Sequence, residues 1–185
     1  LASMLLPALG RAKAKSQAPK CRSNLKQLQL SWHLYADDNN DTMAPNKTEL
    51  VGANWVAPAG SWIVGNTRVE TNSANLEQGV LFRYHKSARI YHCPSDKSKV
   101  DGRKELLRNR SYSMDGWLNG FTVPDVKESP FIKVAQLANP GPVKVFVFLE
   151  EHENTLDEGF FYLLPIGNFF WGSMPSDRHN QGCNL

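Results

Sequence analysis

An acidic stretch near the end of the chain has the residue types that bind metal ions. It runs from Glu150 to Glu158 and mixes carboxylates with the imidazole of His152. Calcium takes about six to eight oxygen ligands, which several carboxylates on one loop would supply. Zinc would use His152, a carboxylate and either His179 or His92. Calcium is the one cofactor predicted, and the predicted ligands are Glu151, His152, Glu153, Asp157, Asp177 and His179.

The same stretch has a simpler interpretation. A run of charges is usually a solvated loop. Its spacing matches neither the calcium loop of an EF-hand nor the His-Glu-x-x-His pattern of zinc proteases. The metal site and the solvated loop both stay open at the level of sequence.

Three cysteines offer a second kind of chemistry. Cys21, Cys93 and Cys183 form no Cys-x-x-Cys pair, which argues against zinc ribbons and thioredoxin-type redox sites. In an oxidising compartment Cys21 and Cys93 could form a disulfide that fastens the N-terminal helix to the rest of the chain. The alternative is two free thiols packed as small hydrophobic side chains.

Patterns for catalysis are absent from the sequence. It contains no Gly-x-Ser-x-Gly elbow, no P-loop and no dinucleotide fingerprint, so we expect a protein that is not an enzyme. A metal-dependent hydrolase remains an alternative if Glu151, His152, Asp157 and His179 converge in a cleft. An extracytoplasmic carbohydrate-binding module is another, and its rings would be Trp55, Trp62, Trp117 and Trp171.

Composition is that of one soluble domain of ordinary charge. The chain has 185 residues, of which 41% are hydrophobic and 21% charged, with a formal net charge of +3. The basic excess lies between Arg11 and Lys26, so no nucleic-acid partner is expected from the overall charge.

The N-terminal 40 residues predict one long helix. An apolar run from Leu1 to Leu9 would be either the end of a longer hydrophobic helix or the start of an amphipathic core helix. After it, apolar residues recur at intervals of four, three, four and three, which places them on one helix face. We expect this face to pack on the rest of the protein, through Cys21, Leu25, Leu28, Trp32 and Tyr35. The Asx-rich run Asp37–Asp41 should end the helix.

The remainder, residues 41–185, has short strand-like segments separated by Gly and Pro. This pattern predicts an α+β fold in which the long helix packs on an antiparallel sheet. Helices are expected near residues 75–84 and 129–138. The predicted strands are 55–56, 61–64, 88–92, 143–149 and 160–164.

Several phrases resemble the prepilin-type proteins of diderm bacteria, which have an N-terminal cleavage and methylation segment and a C-terminal signature of His, nine residues, Asp-Gly. They include Cys21-Arg-Ser-Asn-Leu-Lys-Gln-Leu28 after the hydrophobic phrase, Tyr35-Ala-Asp-Asp-Asn-Asn40 at the helix exit and Cys93-Pro-Ser-Asp96. Further matches are the phrases around Arg110–Trp117, Phe148–Glu153 and Pro175–Asn180. His179 would be the first residue of the signature, whose Asp-Gly is not in the sequence.

This resemblance implies a pilin-like fold and a structural role in a type II secretion or type IV pilus-related filament. Its partners would be other pilin-like subunits and the inner membrane, with the head in the periplasm or on a surface filament. The assembly and membrane portion of the helix would contain Leu1, Met4, Leu5, Leu6, Pro7 and Leu9. Because the leader and the early Glu of the family are not seen, the sequence is expected to be a fragment, truncated at both ends.

Overall fold

A computed structural model describes residues 2–120, 130–164, 170–179 and 182–184, with side chains from residue 17 onward except those of 164, 170 and 171. The predicted α+β class is confirmed. Helix α1 is followed by two short helices and three 3-10 segments among the strands. The helical elements are α1 (Ala2–Asp38), α2 (Ala74–Gln78), α3 (Phe82–His85) and the 3-10 segments Ala88–Tyr91, Val134–Ala138 and Pro142–Lys144.

Helix α1 ends where the Asx-rich run predicts. The side-chain amide of Asn39 donates a 2.7 Å hydrogen bond to the carbonyl of Tyr35, and the Asp41 N–H donates to the carbonyl of Ala36 at 2.9 Å. Asn40 and Asp41 adopt positive φ angles of 54° and 65°. Asn and Asp enter this left-handed region more readily than other side chains, so the chain can turn away from the helix axis here.

The strands form small sheets, of which the central one has three strands in the order β6-β5-β7. The other sheets described are the pairs β1–β2, β3–β4 and β8–β9. The strands are β1 (Glu49–Val51), β2 (Asn54–Val56), β3 (Lys99–Val100), β4 (Arg103–Leu107), β5 (Tyr112–Asp115), β6 (Phe148–Glu150), β7 (Phe160–Phe161), β8 (Leu163–Leu164) and β9 (Phe170–Trp171).

The central sheet is mixed rather than wholly antiparallel as predicted. Strand β6 runs antiparallel to β5, whereas β7 runs parallel to β5. The loop of residues 151–159 reverses the chain after β6 and carries it to the other edge of β5. Strand β7 therefore runs opposite to β6, in the direction of β5.

One face of this sheet lies towards helix α1. Cross-strand partners share a face, and the register pairs Tyr112 with Glu150 and Met114 with Phe148. Tyr112, Met114 and Phe148 belong to the same buried cluster as the inner side of α1. Successive strand residues alternate between faces, so Leu149 and its partner Ser113 lie on the other side.

Two predicted strands are wrong. Residues 88–92 form a 3-10 segment, in which the consecutive residues Ile90 and Tyr91 are both buried in the core, whereas a strand would point them to opposite faces. Residues 61–64 lie in a bend outside any strand.

Two other elements are shorter than predicted. In the segment 143–149 only Phe148 and Leu149 are in a strand, because Pro142 begins a 3-10 turn. The helix predicted over 75–84 breaks at Gly79, whose Cα lies so close to the Trp62 carbonyl that a Cβ would meet that oxygen at 2.4 Å.

Candidate functional site

The junction between helix α1 and the head buries one face of the helix. Tyr35 packs against the core from the side. The opposite face of the helix carries Leu30 and Leu34, which are 59% and 40% exposed. The face towards the head buries Cys21, Leu25, Leu28 and Trp32. We call these four residues the helix seam.

Polar contacts fix the same helix to the head. The amide of Asn24 donates a 3.0 Å hydrogen bond to the carbonyl of His92. The amide of Gln17 donates to the carbonyl of Pro94 at 3.2 Å. Both acceptors lie in the segment that follows the 3-10 turn Ala88–Tyr91, so this segment is held along the helix over about two turns.

Four ligand-type side chains meet at the seam. Cys21, Cys93, Glu150 and His179 each contribute one atom to a group whose members all lie within 4.8 Å of one another. His179 Nε2 lies 3.4 Å from Cys93 Sγ and 3.0 Å from Glu150 Oε2. The first three residues are fully buried and the His179 side chain is 7% exposed. We call these four residues the junction cluster.

Separate segments position the members of the junction cluster. Glu150 ends strand β6, where its N–H donates to the carbonyl of Asn184 at 3.2 Å. The N–H of Cys93 donates to the hydroxyl of Ser111 at 3.0 Å. A turn closed by the Asp96 N–H and the Cys93 carbonyl, at 2.9 Å, then places the Cys93 side chain against the helix.

Arg178 is the cation at the edge of the junction cluster. Its guanidinium donates to a Glu153 carboxylate oxygen at 2.9 Å and lies 3.5 Å from Asp96 and 4.0 Å from Glu150. Burial raises the pKa of Asp96, but Arg178 and the hydroxyl of Ser111 outweigh that effect and leave it below its ordinary value. Asp96 is therefore held as a buried carboxylate beside the cluster.

The Cys21 thiol and the Tyr112 phenol are held in their protonated forms. The pKa of Cys21 is raised, first by its contact with Cys93 and then by burial. Burial and the neighbouring Cys21 also raise the pKa of Tyr112, whose hydroxyl donates to Cys21 Sγ at 3.1 Å. By themselves, these groups are unsuited to nucleophilic chemistry at neutral pH.

The metal ligands predicted from the acidic stretch are not brought together. Glu151 points away from Glu150 and accepts a hydrogen bond from the Ser113 hydroxyl, while Glu153 pairs with Arg178. Among the described residues, the junction cluster is the one group of three or more such side chains that could surround one ion, and His179 is its only member from the predicted set. The members not in it are Glu151, His152, Glu153, Asp157 and Asp177.

The reason for this correction is strand alternation. Glu150 shares a face with Tyr112 and so points to the helix, whereas Glu151 falls on the opposite face. Sequence reasoning did not place Glu150 among the candidate ligands. Strand alternation at the end of the predicted strand 143–149 was the signal that could have separated it from Glu151.

Cys21 and Cys93 lie side by side, as a disulfide between them requires, and both are free thiols here. The predicted disulfide stays a prediction. The third thiol, Cys183, is half-buried and lies outside the junction cluster.

The tryptophans expected in a carbohydrate-binding module do not share one surface in the described structure. Trp62 is fully buried and stacks on Tyr91. Trp117 is half-buried, and its indole N–H donates to the carbonyl of Leu163. Trp55 is 45% exposed, on the β1–β2 hairpin. The Trp171 side chain lies outside the described residues.

The residues predicted for assembly and membrane contact fall mostly outside what can be described. Leu1 is not described, and Met4, Leu5, Leu6, Pro7 and Leu9 are described only as helical backbone. Within the described part of the chain, no helix combines the length and the apolar character needed to cross a bilayer.

Comparisons of the chain with protein-family profiles, with curated proteins and with solved structures find no match.

Proposed function

We propose that this chain is a pilin-like subunit of a type II secretion or type IV pilus-related filament, which acts as a structural protein. The observation that carries the proposal is helix α1, with a buried seam on one face and large apolar side chains exposed on the other. At 37 residues it is about 55 Å long, whereas the seam from Cys21 to Trp32 occupies only about three turns.

The exposed face of the helix supports a role in assembly. Leu30 and Leu34 are one helical turn apart, so they form a small apolar patch on the side of the helix opposite the seam. In a filament, a neighbouring subunit would cover such a patch and remove it from water. The partners in this proposal are other pilin-like subunits, with the inner membrane holding the subunit before assembly and the head in the periplasm.

Processing of the N-terminus is the first test. The protein is expressed from its own gene in its native cell, and the N-terminus of the mature form is sequenced. We expect cleavage after a glycine and a methylated first residue, followed closely by a Glu. A mature protein that keeps its initiating Met, or that is cut at an ordinary signal-peptide site, would contradict the proposal.

Cross-linking of the exposed helix face is the second test. Leu30→Cys and Leu34→Cys are made separately in a Cys183→Ser background and treated in cells with a cell-permeable bismaleimide. We expect cross-linked dimers, because each subunit carries one accessible thiol and the helices of neighbours lie close in a filament. Leu50→Cys, in strand β1 and with the same 59% exposure as Leu30, is the matched control. Equal dimer yields for all three variants, or no dimer for the helix variants, would argue against packing through this face.

A further inference from the structure

The junction cluster has the composition and the spacing of a closed metal site. We propose that Cys21, Cys93, Glu150 and His179 bind one zinc ion that fastens helix α1 to the head. The inference goes beyond the filament role and does not depend on it, since such a site would stabilise the head whatever the head does.

The distances fit zinc geometry. Zinc binds Cys sulfur at about 2.3 Å and His nitrogen or carboxylate oxygen at about 2.0–2.2 Å in a tetrahedron, which puts neighbouring ligand atoms about 3.3–3.8 Å apart. His179 Nε2 lies 3.4 Å from Cys93 Sγ and 3.0 Å from Glu150 Oε2. All four ligand atoms fall within 4.8 Å of one another. Shifts of up to about 1 Å in the ligand atoms would complete the tetrahedron.

The ligand types select zinc over the calcium expected from the acidic stretch. Calcium takes about six to eight oxygen atoms, whereas this group offers two sulfurs, one ring nitrogen and one carboxylate. Thiolates and imidazole favour zinc. Because four protein ligands fill the tetrahedron, no position is left for a substrate or a water, and the site is structural rather than catalytic.

Glu150 supplies an independent observation. Its side chain is 0% exposed, and among the described residues its buried Oε1 atom has no hydrogen-bond partner. The guanidinium of Arg178 lies 4.0 Å from that oxygen. A buried carboxylate oxygen without a partner is costly, and coordination to a cation in the cluster would satisfy it.

Neighbouring groups already orient the ligands. The Tyr112 hydroxyl donates to Cys21 Sγ at 3.1 Å, the Ser95 N–H donates to Cys93 Sγ at 3.4 Å, and the Asn184 amide donates to Glu150 Oε2 at 3.3 Å. Hydrogen bonds of this kind fix the direction of ligands around metal ions in proteins.

Zinc binding requires that both thiols lose their protons. On binding, the protons of the Cys21 and Cys93 thiols leave to solvent and two sulfur–zinc bonds form, with no change in oxidation state. The two charges of zinc then offset the two thiolates, and Arg178 lies 4.0 Å from the Glu150 carboxylate. The ligands come from helix α1, the turn at Cys93, strand β6 and the segment of His179, so one ion would hold four segments together.

Metal content of the full chain tests the proposal. The protein is purified under reducing conditions without chelators, its zinc is measured by mass spectrometry, and the zinc is then exchanged for Co²⁺. We expect about one zinc per chain and the intense visible absorption of tetrahedral Co²⁺ with thiolate ligands. Cys93→Ser and His179→Gln should each weaken zinc binding more than 10-fold. Cys183→Ser, which changes a thiol outside the cluster, should leave the binding unchanged.

Two outcomes of the zinc measurements would overturn the inference. One is wild-type protein that contains no zinc and takes up none when Zn²⁺ is added to the reduced form. The other is zinc retained equally by Cys93→Ser, His179→Gln and the wild type. If the ligand variants do not fold, the wild-type zinc content and Co²⁺ spectrum decide alone. A Cys21–Cys93 disulfide that persists under the purification conditions, seen as unreactive thiols in the unfolded chain and a mass two hydrogens lower, would also exclude the site. None of these results bears on the cross-linking of the exposed helix face.

Discussion

The two faces of the β5–β6 sheet bury neighbouring glutamates in different surroundings. On the face towards helix α1, Glu150 lies among two thiols, an imidazole and the edge of a guanidinium. On the other face, burial raises the pKa of Glu151 to about 7, against hydrogen bonds from Ser113 and other hydroxyl groups that lower it. The two glutamates are adjacent in sequence. Glu150 lies among side chains of the types that bind metal ions, whereas Glu151 lies among neutral hydroxyl donors.

The largest effect expected on the helix-facing side comes from the seam. Leu28→Ala removes a fully buried side chain two turns from Cys21, and we expect a loss of about 2–5 kcal/mol in the free energy of unfolding. Leu30→Ala, on the exposed side of the same helix, should change it by less than about 0.5 kcal/mol. Urea unfolding of both variants measures the difference. Equal effects would mean that the helix does not hold this face of the sheet.

The ionisation of Glu151 should make the free energy of unfolding depend on pH. Its folded pKa of about 7 lies above the ordinary value of 4.5, so the folded state holds this proton more tightly than the unfolded chain. The stabilisation is complete below pH 4.5 and is lost as pH rises through 7, about 3 kcal/mol in all. Glu151→Gln, which cannot ionise, should flatten this part of the curve of unfolding free energy against pH.

The control for that curve is Glu153→Gln, whose side chain is 44% exposed. It should keep the decline between pH 4.5 and 7. Asp115 and Glu158, whose pKa values burial raises to about 6 and about 9, leave a decline in every variant. Equal declines in the wild type and in Glu151→Gln would show that Glu151 is not buried as a neutral acid.

Removing the hydroxyl that donates to Glu151 should have a smaller effect on stability. Ser113→Ala removes its donor and leaves a buried oxygen unpaired, at a cost of about 1–3 kcal/mol. Because that bond lowers the pKa of Glu151, the variant should also move the pH-dependent decline to higher pH. Ser23→Ala, at an exposed position on α1, is the control for both quantities. If the decline in unfolding free energy is not shifted in pH, the Ser113 hydroxyl does not affect the ionisation of Glu151.

The smallest effect concerns the polar attachment of the helix. Asn24→Ala removes the hydrogen bond to the carbonyl of His92, and we expect a loss of about 0.5–1.5 kcal/mol, partly offset by the better helix propensity of Ala. Gln27→Ala removes only an exposed bond within the helix and should be close to neutral. If thermal unfolding gives the same midpoint for both, the seam alone positions the segment of His92.

Local patterns predicted the helix well, because its signals are short in range. The spacing from Cys21 to Tyr35 repeats within one helix face, and the Asx run acts on its own backbone. The strands were harder to predict. Residues 88–92 have the composition of a strand, yet two consecutive side chains had to enter the core, and only the tertiary environment decides that.

The junction cluster could be predicted only in part. A contact between Cys21 and Cys93 was one of two possibilities that the sequence left open, and His179 stood among the predicted ligands. The fourth member depended on which face of β6 turns to the helix, and that register is set by pairing with β5, far away in sequence. A density of carboxylates pointed to Glu151 and its neighbours, whereas strand alternation turns Glu150 to the helix.

The long sequence separations at the helix seam have a consequence for synthesis of the protein. The bond between Tyr112 and Cys21 joins residues 91 positions apart. At about 5–20 residues per second, a ribosome needs about 5–18 s to make the intervening chain. During that interval the apolar side of α1 has no sheet to cover it. The newly made helix is therefore the part of the protein most in need of a chaperone or a lipid surface until β5 and β6 have been made.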